Sequence, residues 1–242
     1  MTGQKLERGS GLALWRQISD QLRADIVEGR FSEDGKIPRE IDLAERYVVN
    51  RHTVRRAIAD LTEQGFLEAR RGEGTFVSPP KLNYPVQAET RFHEIVSGQA
   101  RVPHGVLISS QMEEAEDDVA LKLDCAPGTP VWRFETVYSA DARPISTASM
   151  WFKYAHLKRL PDDFNKTGSL TQALKLSSID AYHRDQTEIS ARRATAAEAD
   201  LLEVPGDSVI LATHYVSRTA DGAPLQFAKT RFAAERVRLI AG

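Results

Sequence analysis

The sequence predicts an α+β chain of two domains. The first is a small N-terminal unit of helices closed by a β-hairpin, and the second a larger unit on a six-stranded antiparallel sheet. Three observations carry this. Apolar residues recur at helical spacing through the N-terminal quarter. The pair Pro79-Pro80 interrupts any helix or central strand. Beyond it an internal repeat reads β-α-β-β twice.

The elements follow in order. Leu14, Ile18, Leu22 and Ile26 recur every four residues, and Gly29 ends that stripe. Ile41, Leu43, Ala44 and Tyr47 predict a second, short helix opened by Pro38 and Glu40. Asn50 precedes a third, where its side chain can cap free N–H groups. Val54, Ile58 and Leu61 give that helix a buried face, and Gly65 stops it. Residues 66–70 and 75–77 read as two short strands joined through Arg71-Gly72-Glu73-Gly74, whose glycines can take the positive φ of a tight turn. This makes residues 1–78 one domain. Residues 79–88 show little periodicity and read as a linker, leaving 89–242 as the second domain.

In that second domain Leu123, Pro127-Gly128, Val131, Asp141 and Pro144 are matched by Leu202, Pro205-Gly206, Val209, Asp221 and Pro224. The offset is about 78 residues before the turn and about 80 after it. Strand-like segments, Val106 to Met112 and Thr187 to Arg193, precede the two helices. Two such units supply six strands for one antiparallel sheet with helices on one face.

Composition narrows the function. The chain has 242 residues, 41% apolar and 27% charged, with a net charge of −2, as expected of a soluble globular protein rather than a basic nucleic-acid coat. Cys125 is the single cysteine, so neither an intrachain disulfide nor a Cys-rich zinc site is available. Arg8, Arg16, Arg23 and Asp25 break up the N-terminus, so no signal peptide is expected. No apolar run approaches the ~18 residues of a membrane helix, and a cytoplasmic location is expected. His52, His93, His104, His156, His183 and His214 are scattered without metal-ligand spacing, and no nucleophile or phosphate-loop motif occurs. Neither a metal nor a cofactor is expected.

Two helices, a tight turn at Val48-Val49-Asn50 and a hairpin describe a winged helix-turn-helix. Its recognition helix would present Arg51, His52, Arg55 and Arg56 opposite the buried face. From Arg46 to Ala59 the sequence contains four arginines and no acid. Arginine neutralises phosphate and forks onto guanine edges. A solvated, arginine-rich helix face is the plain alternative.

Residues 12–78 resemble the DNA-binding domain of the GntR family of bacterial transcription regulators. The likeness rests on Ile37-Pro38-Arg39-Glu40, Leu43-Ala44, Asn50-Arg51-His52-Thr53-Val54-Arg55-Arg56-Ala57 and Gly72-Glu73-Gly74-Thr75-Phe76-Val77. It implies DNA contacts from Arg39, Arg51, Thr53, Arg55 and Gly72, with Arg71 beside them. Arg39 and Asn50 stand where the family usually has serine or threonine. The remainder resembles the effector-binding (UTRA) domain of the HutC subfamily, whose fold is chorismate-lyase-like. Within that subfamily Leu82-Asn83-Tyr84-Pro85, Thr90-Arg91-Phe92-His93-Glu94, Ile189-Ser190-Ala191-Arg192-Arg193 and Gln226 to Phe232 look most like phosphonate-metabolism repressors of the PhnF type.

The resemblance implies effector contacts from Arg91, Arg133, Ser169 and Thr171, with Gln226 and Arg231 lining the site. Thr90, Arg91 and Phe92 precede a candidate helix whose free N–H groups suit an anion. Glu135 stands where relatives carry a second arginine, and Ala148 where sugar-binding relatives carry a carboxylate. Arg133 and Glu135 share a strand face. They would either form a structural ion pair or hold an anion and an amine, as an aminoalkylphosphonate would require. Arg91 paired to an acid and Ser169 as a mere helix cap are further plain alternatives. Arg192 and Arg193 read as surface or dimer residues.

The leading expectation is a homodimeric repressor on an inverted-repeat duplex operator, released by a small anionic effector. A phosphonate is one candidate, and a sugar phosphate or urocanate-like acid another. Coupling would run through Pro79-Pro80 to Ala88. A lyase-like enzyme and a regulator that has lost its effector are the competing readings.

Overall fold

The computed structural model describes residues 6–7, 11–31, 35–70, 72–153 and 157–241. The chain divides into two compact units, Met1–Pro80 and Lys81–Gly242.

The first unit runs α1 (Leu14–Val27), α2 (Glu40–Tyr47), α3 (Arg51–Glu63), then the antiparallel hairpin of β1 (Leu67–Arg70) and β2 (Gly74–Val77). Ile18, Leu22, Leu43, Val54, Ala57 and Leu61 are fully buried where the helices meet. Ile41 is half exposed, so the apolar face of α2 is narrower than its sequence pattern. The Ser19 hydroxyl donates to Asp60 at 2.6 Å and ties α1 to α3. The turn between α2 and α3 is set by Val48 in the left-handed region, φ 51. A β-branched residue there is strained, at a typical cost of ~1–3 kcal/mol. Val49 N–H donates back to Ala44 at 3.1 Å, closing α2, and Asn50 Oδ1 accepts from His52 N–H at 2.9 Å, opening α3.

The second unit begins earlier than the sequence suggests. Residues 79–88, read as a linker, contain β3 (Leu82–Pro85), which pairs in parallel with β10 (Val237–Ile240). Leu82 and Tyr84 are buried and Asn83 is exposed, a period-2 pattern too short to register alone. After α4 (Phe92–Ser97) come β4 (Pro103–Glu114), α5 (Asp117–Leu123), β5 (Pro130–Ala140) and β6 (Arg143–Lys153). Then follow α6 (Leu160–Thr167) and α7 (Leu170–Leu176). The second copy is β7 (Tyr182–Arg193), α8 (Ala196–Leu202), β8 (Val209–Thr219) and β9 (Pro224–Ala233). The sheet is antiparallel with order β4-β5-β6-β9-β8-β7. The two copies therefore meet at their last strands, related by a pseudo-twofold axis between β6 and β9.

Helices cover both faces of this sheet, not one. Phe134, Tyr138, Met150 and Ala228 pack under Leu160 and Phe164 of α6 and Ala173 and Leu174 of α7. Val131, Trp151, Val216 and Phe227 face the other way, onto Val119, Ala120 and Leu123 of α5. The repeat supplies α5 and α8; α6 and α7 come from the connector between the copies, which repeat symmetry does not reveal.

On the α5/α8 face Glu198 of α8 accepts both ends of the Arg192 guanidinium, at 2.8 and 2.7 Å, and the Thr195 N–H at 2.9 Å. The Arg192 hydrogen bonds hold its carboxyl at about 2, down from 4.5. A depressed carboxyl stabilises the fold fully above its unfolded value and loses that contribution as pH falls through the folded one. We expect the stability gap between wild type and Glu198→Gln, measured by urea unfolding, to shrink between pH 4.5 and about 2. A gap that does not vary across this window rules out the linkage.

Candidate nucleic-acid interface and candidate effector site

In the first unit the capped start of α3 carries Arg51, His52, Arg55 and Arg56, all exposed, and the half-buried Thr53. Arg39, also exposed, occupies the N-cap position of α2. One acid enters this face from another helix. Glu40, at the start of α2, accepts Arg55 Nη2 at 3.0 Å and Nε at 3.2 Å, and lies 3.4 Å from Arg51 Nη2. The Arg55 hydrogen bond holds the Glu40 carboxyl below the usual carboxylate range. Sequence reasoning missed this clamp, because Glu40 is 15 residues from Arg55 and the α2–α3 angle creates the contact. Arg56 stacks 4.5 Å above the ring of Trp15. In the hairpin Arg70 pairs with Glu68 at 2.9 Å and lies 4.1 Å over Phe76. Gly72 sits at the hairpin tip with φ +79 and open space around its Cβ position, so its backbone is accessible. Arg71 lies outside the described residues.

In the second unit an open cavity lies on the sheet face shared with α6 and α7. Of the residues singled out from sequence, Thr90, Arg91, Phe92, Thr171 and Gln226 line it together. Thr90 fixes the entry by donating to the Pro85 carbonyl at 2.8 Å and accepting from Gln87 N–H at 2.8 Å. Arg91 lies 3.8 Å over the ring of Tyr182 and donates to the carbonyls of Thr90, at 3.1 Å, and of Tyr182. Phe92 packs on Tyr138 with ring centroids 4.9 Å apart. Thr171 Oγ1 is 3.2 Å from the Tyr182 hydroxyl. Ser169 is buried as the N-cap of α7 and receives Gln172 N–H at 3.4 Å; it does not line the cavity.

Arg133, Glu135 and Arg231 do not reach this cavity. Each is one residue out of phase with a cavity-side or core residue, so the pleat turns it to the opposite face. There Arg133 Nε donates to Glu135 at 2.9 Å, Ser149 Oγ donates to Glu135 at 2.7 Å, and Arg231 donates to Ser149 Oγ at 3.0 Å. Glu198 lies 3.4 Å from Arg231. Among the alternatives posed by the sequence, Arg133 and Glu135 form the structural ion pair.

The residue that sequence reasoning missed is Arg184. It lines the cavity, 3.8 Å over the ring of Tyr215, and its backbone N–H donates to Ala88 at 2.7 Å. Burial opposes its charge, but Tyr215 and Tyr84 outweigh burial and raise its pKa. Burial pushes the hydroxyls of Tyr84, Tyr138 and Tyr182 up, so they remain protonated donors. Among the described residues the lining contains two arginines and no aspartate or glutamate. Ala148 also stands in the wall. Gln226 is 1% exposed and its Nε2 has no hydrogen-bond partner among the described residues. No group of His, Cys, Asp and Glu among the described residues could hold a metal. No helix is long and apolar enough to cross a membrane.

An arginine-faced helix-turn-helix with a hairpin wing, followed by a sheet domain with an open, arginine-lined cavity, defines a DNA-binding transcription regulator with an effector domain. The family model for bacterial regulatory proteins of the gntR family matches residues 14–77, and that for the UTRA domain matches residues 98–238. The chain belongs to the gntR family, as a HutC-type member with a UTRA domain. It is 37% identical to the uncharacterized HTH-type transcriptional regulator RB1450 of Rhizobium meliloti (strain 1021), over 99% of this chain and 98% of that one. It is 31% identical to the probable transcriptional regulator PhnF of Escherichia coli (strain K12), over 88% of each. The crystal structure of PhnF from Mycobacterium smegmatis superposes with a TM-score of 0.65 at 23% identity, covering 93% of this chain and 98% of that one. These relatives are named as transcriptional regulators, not as enzymes.

Proposed function

We propose that the chain is a repressor that binds an inverted-repeat operator as a homodimer and is released by a small anionic effector of the phosphonate or phosphate class. The observation that carries the anionic effector is the cavity itself, which contains two arginines and no acid among the described residues. The resemblance to PhnF-type repressors supports the phosphorus chemistry. The cavity also suggests a route for the signal. Its wall includes Tyr84 and residues 90–93, from the segment that directly follows Pro80, and Ala88 of that segment accepts the Arg184 N–H at 2.7 Å. A ligand seated on Arg184 and Arg91 therefore acts on the chain leading to the DNA-binding unit. It shifts the regulator only by binding the operator-incompetent arrangement more tightly.

The test starts with duplexes selected from a random-sequence library by the purified chain. The selected sites are expected to be inverted repeats bound by two chains. An effector of the stated class is expected to weaken that binding by about 5–150-fold, the usual range of allosteric coupling. Asymmetric sites bound by one chain overturn the dimer reading. Binding that is indifferent to every phosphonate and phosphate supplied overturns the effector reading.

A further inference from the structure

We infer that the effector carries acid groups but no ammonium group, and that Arg184 is the second cation holding it, beside Arg91. This deepens the anionic-effector reading and rests on it.

The case begins with what a cationic group on the ligand would find. Among the described residues no carboxylate lines the cavity. The acid expected from sequence to receive an amine, Glu135, lies on the opposite face of the sheet, engaged by Arg133 and Ser149 at 2.9 and 2.7 Å. An ammonium group would be desolvated beside two guanidiniums with no counter-ion, an arrangement that burial makes more costly. The aromatic rings of the lining already have partners. Arg91 lies on Tyr182 and Arg184 on Tyr215, both at 3.8 Å, while Tyr138 and Tyr84 pack on Phe92 and Phe232, both with centroids 4.9 Å apart.

The donors point to the same conclusion. Gln226 Nε2 is buried in the cavity wall and has no acceptor among the described residues, so it awaits one from outside the chain. Arg184 lies over the ring of Tyr215 and its side chain hydrogen-bonds Tyr84 and Tyr215, so it is held in the cavity wall by neutral hydroxyl groups and keeps an uncompensated charge for an oxyanion. Neither arginine is paired with a carboxylate among the described residues, whereas the reverse-face arginines 133, 192 and 231 are. The ligand class that satisfies these groups is a phosphonate, phosphate or carboxylate whose remaining substituents are neutral acceptors or alkyl.

Calorimetric titration of the full chain tests this with two pairs matched in size: 2-hydroxyethylphosphonate against 2-aminoethylphosphonate, and malate against aspartate. The ammonium-free member of whichever pair binds is expected to be at least about tenfold tighter. Equal or tighter binding of the amino member overturns the inference while leaving an anionic effector in place. Failure of all four ligands and of inorganic phosphate overturns the anionic-effector reading itself, and the inference with it. Arg184→Gln is expected to lower the affinity of the tighter ligand at least about tenfold, and Arg184→Lys to recover part of it, with the thermal midpoint of the free protein kept. Unaltered affinity in Arg184→Gln removes Arg184 from the site.

Discussion

Gly105→Ala is expected to abolish effector binding and to destabilise the second unit by about 3 kcal/mol, while the chain still binds its operator duplex. Gly105 lies in the edge strand β4, where a Cβ would fall 2.5 Å from the Gly168 carbonyl oxygen, 2.9 Å from Tyr138 Cε1 and 3.2 Å from Phe164 Cζ. The first neighbour is backbone and cannot rotate away. It belongs to the residue that closes α6 in the left-handed region, φ 61, with its N–H on Phe164 at 2.8 Å. Gly168 also leads directly into Ser169, the cap of α7, and then into Leu170 and Thr171 of the cavity wall. Relief must come from β4 moving out or the α6–α7 turn moving back. Overpacking of this kind typically costs ~1–3 kcal/mol, and a backbone obstacle places this case at the top of that range. Tyr138, struck from the side, also lines the cavity. Urea unfolding of the full chain and calorimetry with the ligand that binds wild type give the readout. An unchanged midpoint with unchanged ligand affinity contradicts the packing argument, whereas loss of operator binding contradicts the independence of the two units.

The parts of this protein that were legible in the sequence are those written in local periodicity or in the repeat. The α3 face was readable because Val54, Ile58 and Leu61 leave the arginines opposite them, although Ala57 is fully buried and Ile58 only partly, and Asn50 marked where the helix starts. The six strands were readable because two copies of one pattern must pair alike. Sheet faces were harder. Arg133 and Glu135 differ from Phe134 by one position, and that one residue decides between a cavity and an ion-pair network on the reverse side. Arg184 was hidden by a β-bulge. The register shifts between Arg184 and Thr187, which pair with Ser217 and Tyr215. The extra residue puts Arg184 on the cavity side when simple alternation from Thr187 would put it on the other. Contacts fixed by the angle between elements, such as Glu40 with Arg55, leave no trace in spacing.

That last contact leads to the other large effect. Arg55→Ala and Arg51→Ala are each expected to weaken binding of a selected operator duplex by ~1–3 kcal/mol, the range for a lost bidentate base contact. If they touch only phosphate, the loss will be similar on random-sequence duplex, and sequence preference will survive. Glu40 separates these outcomes further. Its carboxylate receives Arg55 through Nη2 and Nε, at 3.0 and 3.2 Å, so one edge of the guanidinium is held and the Nη1 side is left to the duplex. Both arginines are more than half exposed, so the clamp adds little to fold stability, and its worth lies in fixing the fork before DNA arrives. A carboxylate beside the interface also repels phosphate wherever the arginines find no matching base. Glu40→Gln should therefore tighten binding to random duplex more than to the selected site, lowering the ratio of the two. The dependence of log K on log salt should steepen by up to ~0.9 for each positive charge freed to meet phosphate. Equal tightening on both duplexes would make Glu40 a source of general repulsion only. Weaker binding to the selected duplex alone, with an unchanged salt slope, would assign it wholly to aiming Arg55.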